Sequence, residues 1–168
     1  MPRISAATNA AQRENTKRAI LESFGQLLYS RGLPGLTMTD VAKNAGIGRT
    51  AVYNYFADMG ELLVAYALDE TERFLHELDE GIAGVTNPID QLAVYIRLQI
   101  EDLARRHLPP GPAMRSMLSP ESYARLGKHV SELQMVLANI LSDAITEKYI
   151  PENDIRELAM LVHGSLSS

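Results

Sequence analysis

The sequence predicts an all-α protein, with a small unit of three helices at the N-terminal end and a larger helical part after it. Three observations lead to this fold class. Apolar residues recur every three to four positions through most of the 168 residues, as they do on the buried face of a helix. No segment shows the apolar–polar alternation of a half-buried strand. Glycine and proline cluster where the helical spacing is interrupted, and these clusters separate one predicted helix from the next.

The first predicted helix runs from about residue 13 to residue 30. Its buried stripe recurs at helical spacing and comprises Ile20, Phe24, Leu27 and Leu28. Gly32 ends this helix, and Pro34-Gly35 form the loop after it. Residues 1–12 are rich in Ala, Asn, Ser and Thr, and we expect them to form a mobile arm. Arg3 and Arg13 are the basic side chains with which such an arm could touch DNA, although a tail without contacts is favoured.

Residues 38–57 follow the pattern of two short helices joined by a tight turn. Thr37 is placed to cap the first helix, with Asp40 three residues later. Gly46 can take the left-handed backbone that ends this helix, and Ile47 is the apolar side chain after the turn. The second helix is expected from Arg49 to Tyr55, with Gly48 as its N-cap. The side chains expected to be buried or closely packed in this pair are Val41, Ala42, Ala45, Val52 and Phe56.

The pattern of apolar residues in the remainder of the chain predicts four longer helices and one short helical turn. The helices run from Asp58 to about Ile82, from Asn87-Pro88 to near His107, from Ser119-Pro120 to about Ile150, and from about Asn153 onward. Glu61 completes a capping box at the start of the first of these helices, which links the two parts of the chain. The run from Pro109 to Pro112 is expected to forbid helix. Residues 114–118 form at most a short helical turn.

Composition excludes several classes of function. Cysteine is absent, so disulfides, thiol catalysis and cysteine-based metal sites are ruled out. No apolar run is long enough to span a bilayer or to form a signal peptide, and a cytoplasmic protein is therefore expected. Net charge is −5 overall, but residues 1–60 hold seven basic and four acidic residues, which gives +3, and the remainder carries −8. Any surface that faces phosphates is therefore expected at the N-terminal end.

The second helix of the tight pair carries hydrogen-bonding side chains on its outward face. Such side chains, with a small apolar one among them, suit base edges, a thymine methyl group and phosphate oxygens. The alternative is an ordinary helical hairpin with a polar surface. The joint placement of Ala42, Gly46, Ile47 and Val52 favours a helix-turn-helix that binds DNA. The residues predicted to bind DNA are Thr39, Gly48, Arg49, Thr50, Ala51, Tyr53, Asn54 and Tyr55.

These residues resemble the signature of TetR-type (tetracycline-repressor-like) regulators. The resemblance covers roughly residues 13–63 and rests on Thr37, Val41-Ala42, Ala45-Gly46-Ile47, Val52-Tyr53, Tyr55-Phe56 and Glu61-Leu62, with Ile20 to Phe24, Arg31-Gly32 and Leu36-Thr37 before them. Gly48 stands where the family usually has serine, and Met59-Gly60 where it has a phosphate-contacting lysine and then an acidic or polar residue. The resemblance implies a helical ligand-binding and dimerisation domain after the DNA-binding domain, and one further helix after the last predicted one.

Large, adaptable or amphipathic side chains in the C-terminal part are the candidates for holding a small molecule. A cavity that is mostly apolar with few polar groups is the usual form of such a site, although Met and Tyr on helices are more often plain core. The candidate ligand-binding residues are Tyr66, Phe74, Tyr95, Gln99, Met114, Met117, Tyr123, Met135 and His163. The last helix is apolar nearly all round, and Leu158, Leu161 and Val162 are its candidate dimer contacts.

No pattern of catalytic or cofactor-binding residues is found. His76, His107, His129 and His163 are far apart in sequence, and no pair has the spacing of metal ligands. Glu72, His76 and Glu80 share one helix face, where a solvated charged surface is favoured over a metal site. No phosphate loop or nucleophile motif occurs. No cofactor, metal or catalytic residue is therefore expected.

These observations together predict a dimeric, sequence-specific transcriptional regulator. Residues 1–57 would form the DNA-binding domain with its arm, and residues 58–168 the effector-binding and dimerisation domain. A small-molecule effector would release the protein, a repressor, from a palindromic operator by moving the start of the linking helix, with Leu62 and Leu63 carrying the motion to Val52 and Phe56. The alternatives are an all-helical enzyme and an architectural DNA-binding protein without an effector.

Overall fold

The structure is a computed structural model that describes residues 2–105, 108 and 111–166, and their side chains except those of residues 2–7, 111–113, 129 and 166. Over these ranges the chain forms eight α-helices and no strand, so the predicted all-α class is confirmed. The helices are α1 Pro2–Arg31, α2 Met38–Asn44, α3 Arg49–Tyr53, α4 Met59–Ile82, α5 Pro88–Arg105, α6 Gly111–Met117, α7 Pro120–Thr146 and α8 Ile155–Leu166. None of the described helices is long and apolar enough to cross a membrane.

The chain divides into two compact units, and each is described by itself. The first unit comprises Met1–Ala67 and Arg106–Tyr123, and the second comprises Leu68–Arg105 and Ala124–Ser168. The continuous helix α4 therefore begins in the first unit and ends in the second. These units describe packing, so the functional boundary expected between residues 57 and 58 stays a prediction.

The core of the first unit combines the stripe of α1 with the helix-turn-helix. All four residues of the predicted stripe, Ile20, Phe24, Leu27 and Leu28, are buried. Helix α1 contacts α2, and α2 contacts α3. The buried side chains that these elements and the start of α4 add are Val41, Ala42, Val52, Phe56, Leu62 and Leu63. Burial of each large apolar side chain contributes about 1.5–3 kcal/mol, so this cluster is the main source of stability for the two short helices α2 and α3.

The core of the second unit is a cluster from three helices. Its buried members are Phe74 and Leu78 of α4, Tyr95 and Leu98 of α5, and Leu137, Ile140 and Leu141 of α7. Residues of α8 pack against this cluster from one side, and among them are Ile155, Leu158, Ala159 and Val162. A Cβ atom at Gly81 would lie 3.0 Å from Cγ1 of Val94, so the small residue in α4 allows α5 to approach closely.

Helix α1 begins at Pro2, so the expectation of a mobile arm over residues 1–12 is wrong. The first twelve residues contain four alanines, which are the best helix formers, and their only proline stands at position 2. A proline in the first turn is tolerated because its missing N–H would have no partner there. The segment is therefore helical despite having no apolar stripe, and the side chain of Arg3 lies outside the described ones.

The proline-rich connection is also more helical than expected. Helix α6 begins at Gly111 with Pro112 in its first turn, where proline removes no helical hydrogen bond. The prediction that residues 109–112 forbid helix is therefore wrong at their C-terminal end. Pro109, Pro110 and His107 lie outside the described residues, and so does the predicted end of α5 near His107.

The last two helices have shorter spans than predicted. Helix α7 ends at Thr146 rather than near Ile150. Lys148 has a φ of 63°, in the left-handed region, and the N–H of Tyr149 donates back to the carbonyl of Ala144 at 2.9 Å. Glycine usually occupies the left-handed position at a helix end of this kind. Here the position holds Lys148, so the sequence gives no sign that the helix ends there. Helix α8 begins at Ile155, two residues later than expected.

Candidate nucleic-acid interface

A capping box begins α2, as the sequence predicts. The N–H of Asp40 donates to Oγ1 of Thr37 at 3.2 Å, and the N–H of Thr37 donates to Oδ2 of Asp40 at 3.0 Å. Hydrogen bonds from the Thr37 hydroxyl, and then from its N–H, hold the pKa of the Asp40 carboxyl below its usual value. The pair satisfies two backbone groups that would otherwise have no partner at the helix start.

The turn between α2 and α3 is closed by backbone hydrogen bonds that depend on Gly46. Gly46 has a φ of +67°, which places it in the left-handed region. The N–H of Ile47 donates to the carbonyl of Ala42 at 3.0 Å, and the N–H of Gly46 donates to that of Lys43 at 3.3 Å. This pair of bonds is the usual end of a glycine-terminated helix. The predicted turn is thus confirmed, and it sets the direction in which α3 leaves α2.

Helix α3 and the residues that flank it hold all but one of the residues predicted to bind DNA, and the exception, Thr39, is in α2. Six of these residues are exposed: Thr39, Gly48, Arg49, Thr50, Tyr53 and Asn54. The other two, Ala51 and Tyr55, are half-buried. Val52 on the opposite side is fully buried. The guanidinium of Arg49 lies 5.6 Å from the centre of the Tyr53 ring, which is a cation–π contact. The helix ends at Tyr53, and Asn54 and Tyr55 lie in the turn after it.

The predicted face of α3 separates into two groups of side chains. The sequence assigns six of the seven residues from 49 to 55 to one outward face. Successive residues of a helix differ in direction by about 100°, so these six side chains cannot all point the same way. Ala51, Asn54 and Tyr55 line a cleft together with residues of α1. The guanidinium of Arg13 in α1 lies 5.7 Å from the centre of the Tyr55 ring. Arg49, Thr50 and Tyr53 do not line this cleft and form the second group, whose contact with base edges stays a prediction.

A polar network that the sequence did not reveal joins α1 to α2. The hydroxyl of Ser23, which is 3% exposed, donates to the carbonyl of Val41 at 3.1 Å. Nδ2 of Asn44 donates to Oγ of Ser23 at 3.0 Å and to Oε1 of Gln26 at 3.2 Å. The first of these hydrogen bonds is buried, and a buried hydrogen bond between two helices favours one relative position of the pair. The partners are far apart in sequence, so only the folded structure brings them together.

The second unit holds a small polar group inside its apolar core. Tyr95 is completely buried, and Gln99, one turn later in α5, is 8% exposed. Neither Oη of Tyr95 nor Oε1 of Gln99 has a hydrogen-bond partner among the described residues. Burial raises the pKa of the Tyr95 phenol well above its usual value. Because an unpaired buried polar atom is unfavourable, these two atoms are candidates for contact with a bound molecule.

Aromatic rings surround this polar group. The ring of Tyr95 meets that of Phe74 edge to face at 6.1 Å and the imidazole of His163 at 6.3 Å between centres. Burial lowers the pKa of His163, which favours its neutral form. His163 also lines a groove of about 740 Å³ between α7 and α8, as does Met135. Five of the nine predicted ligand-binding residues, Phe74, Tyr95, Gln99, Met135 and His163, thus belong to this part of the second unit.

The other four predicted ligand-binding residues belong to the first unit. The ring of Tyr66 packs edge to face on Phe24 at 5.5 Å, within the core of that unit. The guanidinium of Arg115 lies 5.6 Å from the centre of the Tyr123 ring. Met114 is buried and Met117 is exposed. Their assignment to a ligand site stays a prediction.

The candidate dimer contacts of α8 divide between its two sides. Leu158 and Val162 pack against the core cluster of their own unit. Leu161 and its neighbour Met160 are each 66% exposed. The exposed pair is therefore the part of α8 that remains available to a second molecule.

The capped α2, the glycine turn and the exposed α3 together define a helix-turn-helix protein. Residues 20–66 match the model of the family described as bacterial regulatory proteins, tetR family. An uncharacterised HTH-type transcriptional regulator of Haemophilus influenzae is 36% identical over 74 residues, which is 44% of this chain but only 36% of that protein. The N-terminal region of the chain, residues 20–66, is therefore a TetR-family sequence.

Solved structures of similar fold extend the likeness over most of the chain. A transcriptional regulator FadR from Bacillus subtilis, in complex with stearoyl-CoA, has a TM-score of 0.74 at 20% identity, and the match covers 89% of this chain and 82% of that one. AibR in complex with isovaleryl coenzyme A and operator DNA has a TM-score of 0.74 at 21% identity, with 90% and 83% covered. At these identities the likeness is one of fold.

Proposed function

We propose that this protein is a transcriptional regulator that binds a palindromic operator as a homodimer. The observation that carries the proposal is the exposed group Arg49, Thr50 and Tyr53 on α3. The buried apolar residues of the helix-turn-helix hold this helix in place. A helix of this size fits the major groove, where guanidinium and hydroxyl groups can read base edges. The family membership of the N-terminal region supports the same conclusion.

One short recognition helix reads one half-site, so the protein needs two copies for a selective site. Two copies related by a two-fold axis would place their recognition helices about 34–36 Å apart, in successive major grooves. The exposed Met160 and Leu161 on α8 support a dimer contact at the C-terminal helices, because exposed apolar side chains are favourable to bury between subunits.

The effector site of this proposal is the polar group of the second unit. Tyr95 and Gln99 would give the polar contacts, and Phe74 and His163 the walls. Solved proteins of similar fold carry stearoyl-CoA and isovaleryl coenzyme A, so acyl esters of coenzyme A belong in the first set of compounds to test. A repressor released by its effector is the mode of action that we propose.

Selection from a random-sequence duplex library at low salt tests the DNA-binding part. The expected result is an enriched inverted repeat, with half-site centres about one helical turn apart. Failure to enrich any sequence would contradict the proposal. Thermal unfolding with the candidate compounds tests the effector part, because a ligand that binds the folded state raises the unfolding temperature.

A further inference from the structure

Residues 8–15 of α1 bury no side chain. Every described side chain from Thr8 to Asn15 is exposed, and the buried stripe begins only at Ile20. Most of the stability of a protein helix comes from packing of an apolar face, and this segment has none. The exposed side chains of Asn9, Gln12 and Asn15 can therefore reach a partner outside the chain.

One face of this segment forms a polar cleft with α3. The cleft has a volume of about 520 Å³ and is lined by Asn9, Gln12, Arg13 and Thr16 of α1, by Ala51 of α3, and by Asn54 and Tyr55 in the turn after α3. The four residues of α1 are spaced three, four and seven positions apart, so they share one face of the helix. The contact of Arg13 with the Tyr55 ring joins the two walls.

The side chains of the cleft suit an anionic partner. Arg13 supplies a guanidinium, and Asn9, Gln12 and Asn54 supply amide N–H groups. None of the seven lining residues is acidic, and residues 8–19 contain three basic residues and one acidic one. Hydrogen bonds from amides and guanidinium groups to phosphate oxygens are the commonest contacts between protein and DNA.

We propose that the cleft between α1 and α3 holds the DNA backbone beside the groove that α3 enters, so that α1 is a second DNA-contacting helix. This inference rests on the proposed function. Arg49, Thr50 and Tyr53 would face base edges, whereas Asn9, Gln12 and Arg13 would bind phosphates. Phosphate contacts add affinity without reading sequence, and the protected stretch of DNA then extends beyond the bases that α3 reaches.

Two variants of equal charge change test this assignment. Gln12→Glu places a carboxylate in the cleft, and Arg18→Gln lowers the charge equally at an exposed position of α1 that does not line it. We expect Gln12→Glu to weaken binding of the selected operator by about tenfold to a hundredfold, as loss of hydrogen bonds to a charged group does, and Arg18→Gln to weaken it much less. Equal losses in the two variants would overturn the inference.

A neutral double variant removes the contacts without adding charge. Asn9→Ala with Gln12→Ala should weaken binding of operator and of random duplex DNA by the same factor, and phosphate ethylation at the outer edge of the site should no longer interfere with binding. A change in base preference with an unchanged ethylation pattern would contradict a phosphate contact. If the unaltered protein selects no DNA at all, the proposed function fails and this inference fails with it; a selected operator with unaffected variants overturns the inference alone.

Discussion

The ring of Tyr66 packs directly on the backbone of Gly25. A Cβ atom at Gly25 would lie 2.8 Å from Cε2 of Tyr66 and 2.9 Å from its Oη. Real Cβ atoms are not found at such distances, so the absence of a side chain on α1 is what allows α4 to approach it here. Tyr66 also meets Phe24 edge to face. The contact attaches the first part of α4 to the core of the first unit.

Replacement of Gly25 by alanine should destabilise the protein. The added methyl group overlaps the Tyr66 ring, and overpacking of this kind costs about 1–3 kcal/mol of unfolding free energy. Chemical denaturation of the variant measures it. Gly127→Ala is the matched control, because a Cβ there meets nothing within 4 Å and alanine raises helix stability by up to about 1 kcal/mol. A Gly25→Ala variant as stable as its parent would show that Tyr66 does not fix this contact.

Local chemistry explains why some of these features could be predicted from the sequence. The capping box of Thr37 and Asp40 and the turn at Gly46 need only neighbours in the chain, and both are confirmed. The buried stripe of α1 also follows from its own spacing. The contact of Tyr66 with Gly25, by contrast, joins two different helices. The spacing of apolar residues within each helix does not show which helices pack together. Tyr66 therefore reads equally well as a ligand contact or as core.

The start of α1 could not be placed for a different reason. Its first half lacks the apolar stripe on which helix prediction depends, and its polar residues are typical of a tail. The same absence of a stripe hides its position beside α3, which only the folded structure shows. The polar pair Tyr95 and Gln99 is an intermediate case, because the residue types suggested contact with a ligand but only the structure shows that both are buried without partners among the described residues.

Substitution of Gly46 should weaken the helix-turn-helix through its backbone alone. A Cβ at this position meets nothing within 4 Å, so the effect comes from the φ of +67°. An alanine in the left-handed region costs roughly 1–2 kcal/mol. Asparagine visits this region more readily, and Gly46→Asn should therefore lose less stability than Gly46→Ala. Thermal unfolding of the pair measures the difference, and the reverse order would exclude backbone strain as the cause.

The Thr37 and Asp40 pair should make stability depend on pH in the acid range. Hydrogen bonds from Thr37 lower the pKa of Asp40 below its ordinary value of 3.8 in the folded protein. The unfolded state therefore binds the proton first as the pH falls, and the stability that this pair gives above pH 4 is lost below it. Thr37→Val should flatten the dependence of the unfolding free energy on pH, measured by denaturation between pH 5 and pH 3. Thr39→Val, a substitution two residues after the cap, should leave that dependence unchanged.

Arg49→Ala should reduce sequence selection by the protein. If Arg49 contacts a base edge, its loss weakens operator binding by ~1–3 kcal/mol and relaxes the preference at one position of each half-site. Arg97→Ala is the control, because Arg97 is an exposed residue of α5 in the second unit. Competition between the operator and its single-base variants measures the preference. An unchanged preference in Arg49→Ala would mean that another residue of α3 reads the base.

Effector and operator should weaken each other's binding by the same factor. Helix α4 runs without interruption from the first unit, where Leu62 and Leu63 are buried, into the second, where Phe74 contacts Tyr95. A ligand held against Phe74 and Tyr95 can therefore favour a position of α4 that changes the spacing of the two recognition helices. The ligand need not touch DNA; it needs only to bind one state better than the other.

The size of this effect can be measured from either side. A coupling of ~1–3 kcal/mol corresponds to roughly 5- to 150-fold, and thermodynamic linkage requires that operator DNA lower effector affinity by as much as effector lowers operator affinity. Titration of an identified effector with and without operator gives the first factor, and operator titration at saturating effector gives the second. Tyr95→Phe, which removes only the buried hydroxyl, should reduce effector affinity while leaving operator affinity without effector unchanged. Equal effector affinities in the presence and absence of operator would rule out release by this mechanism and leave the DNA-binding assignment intact.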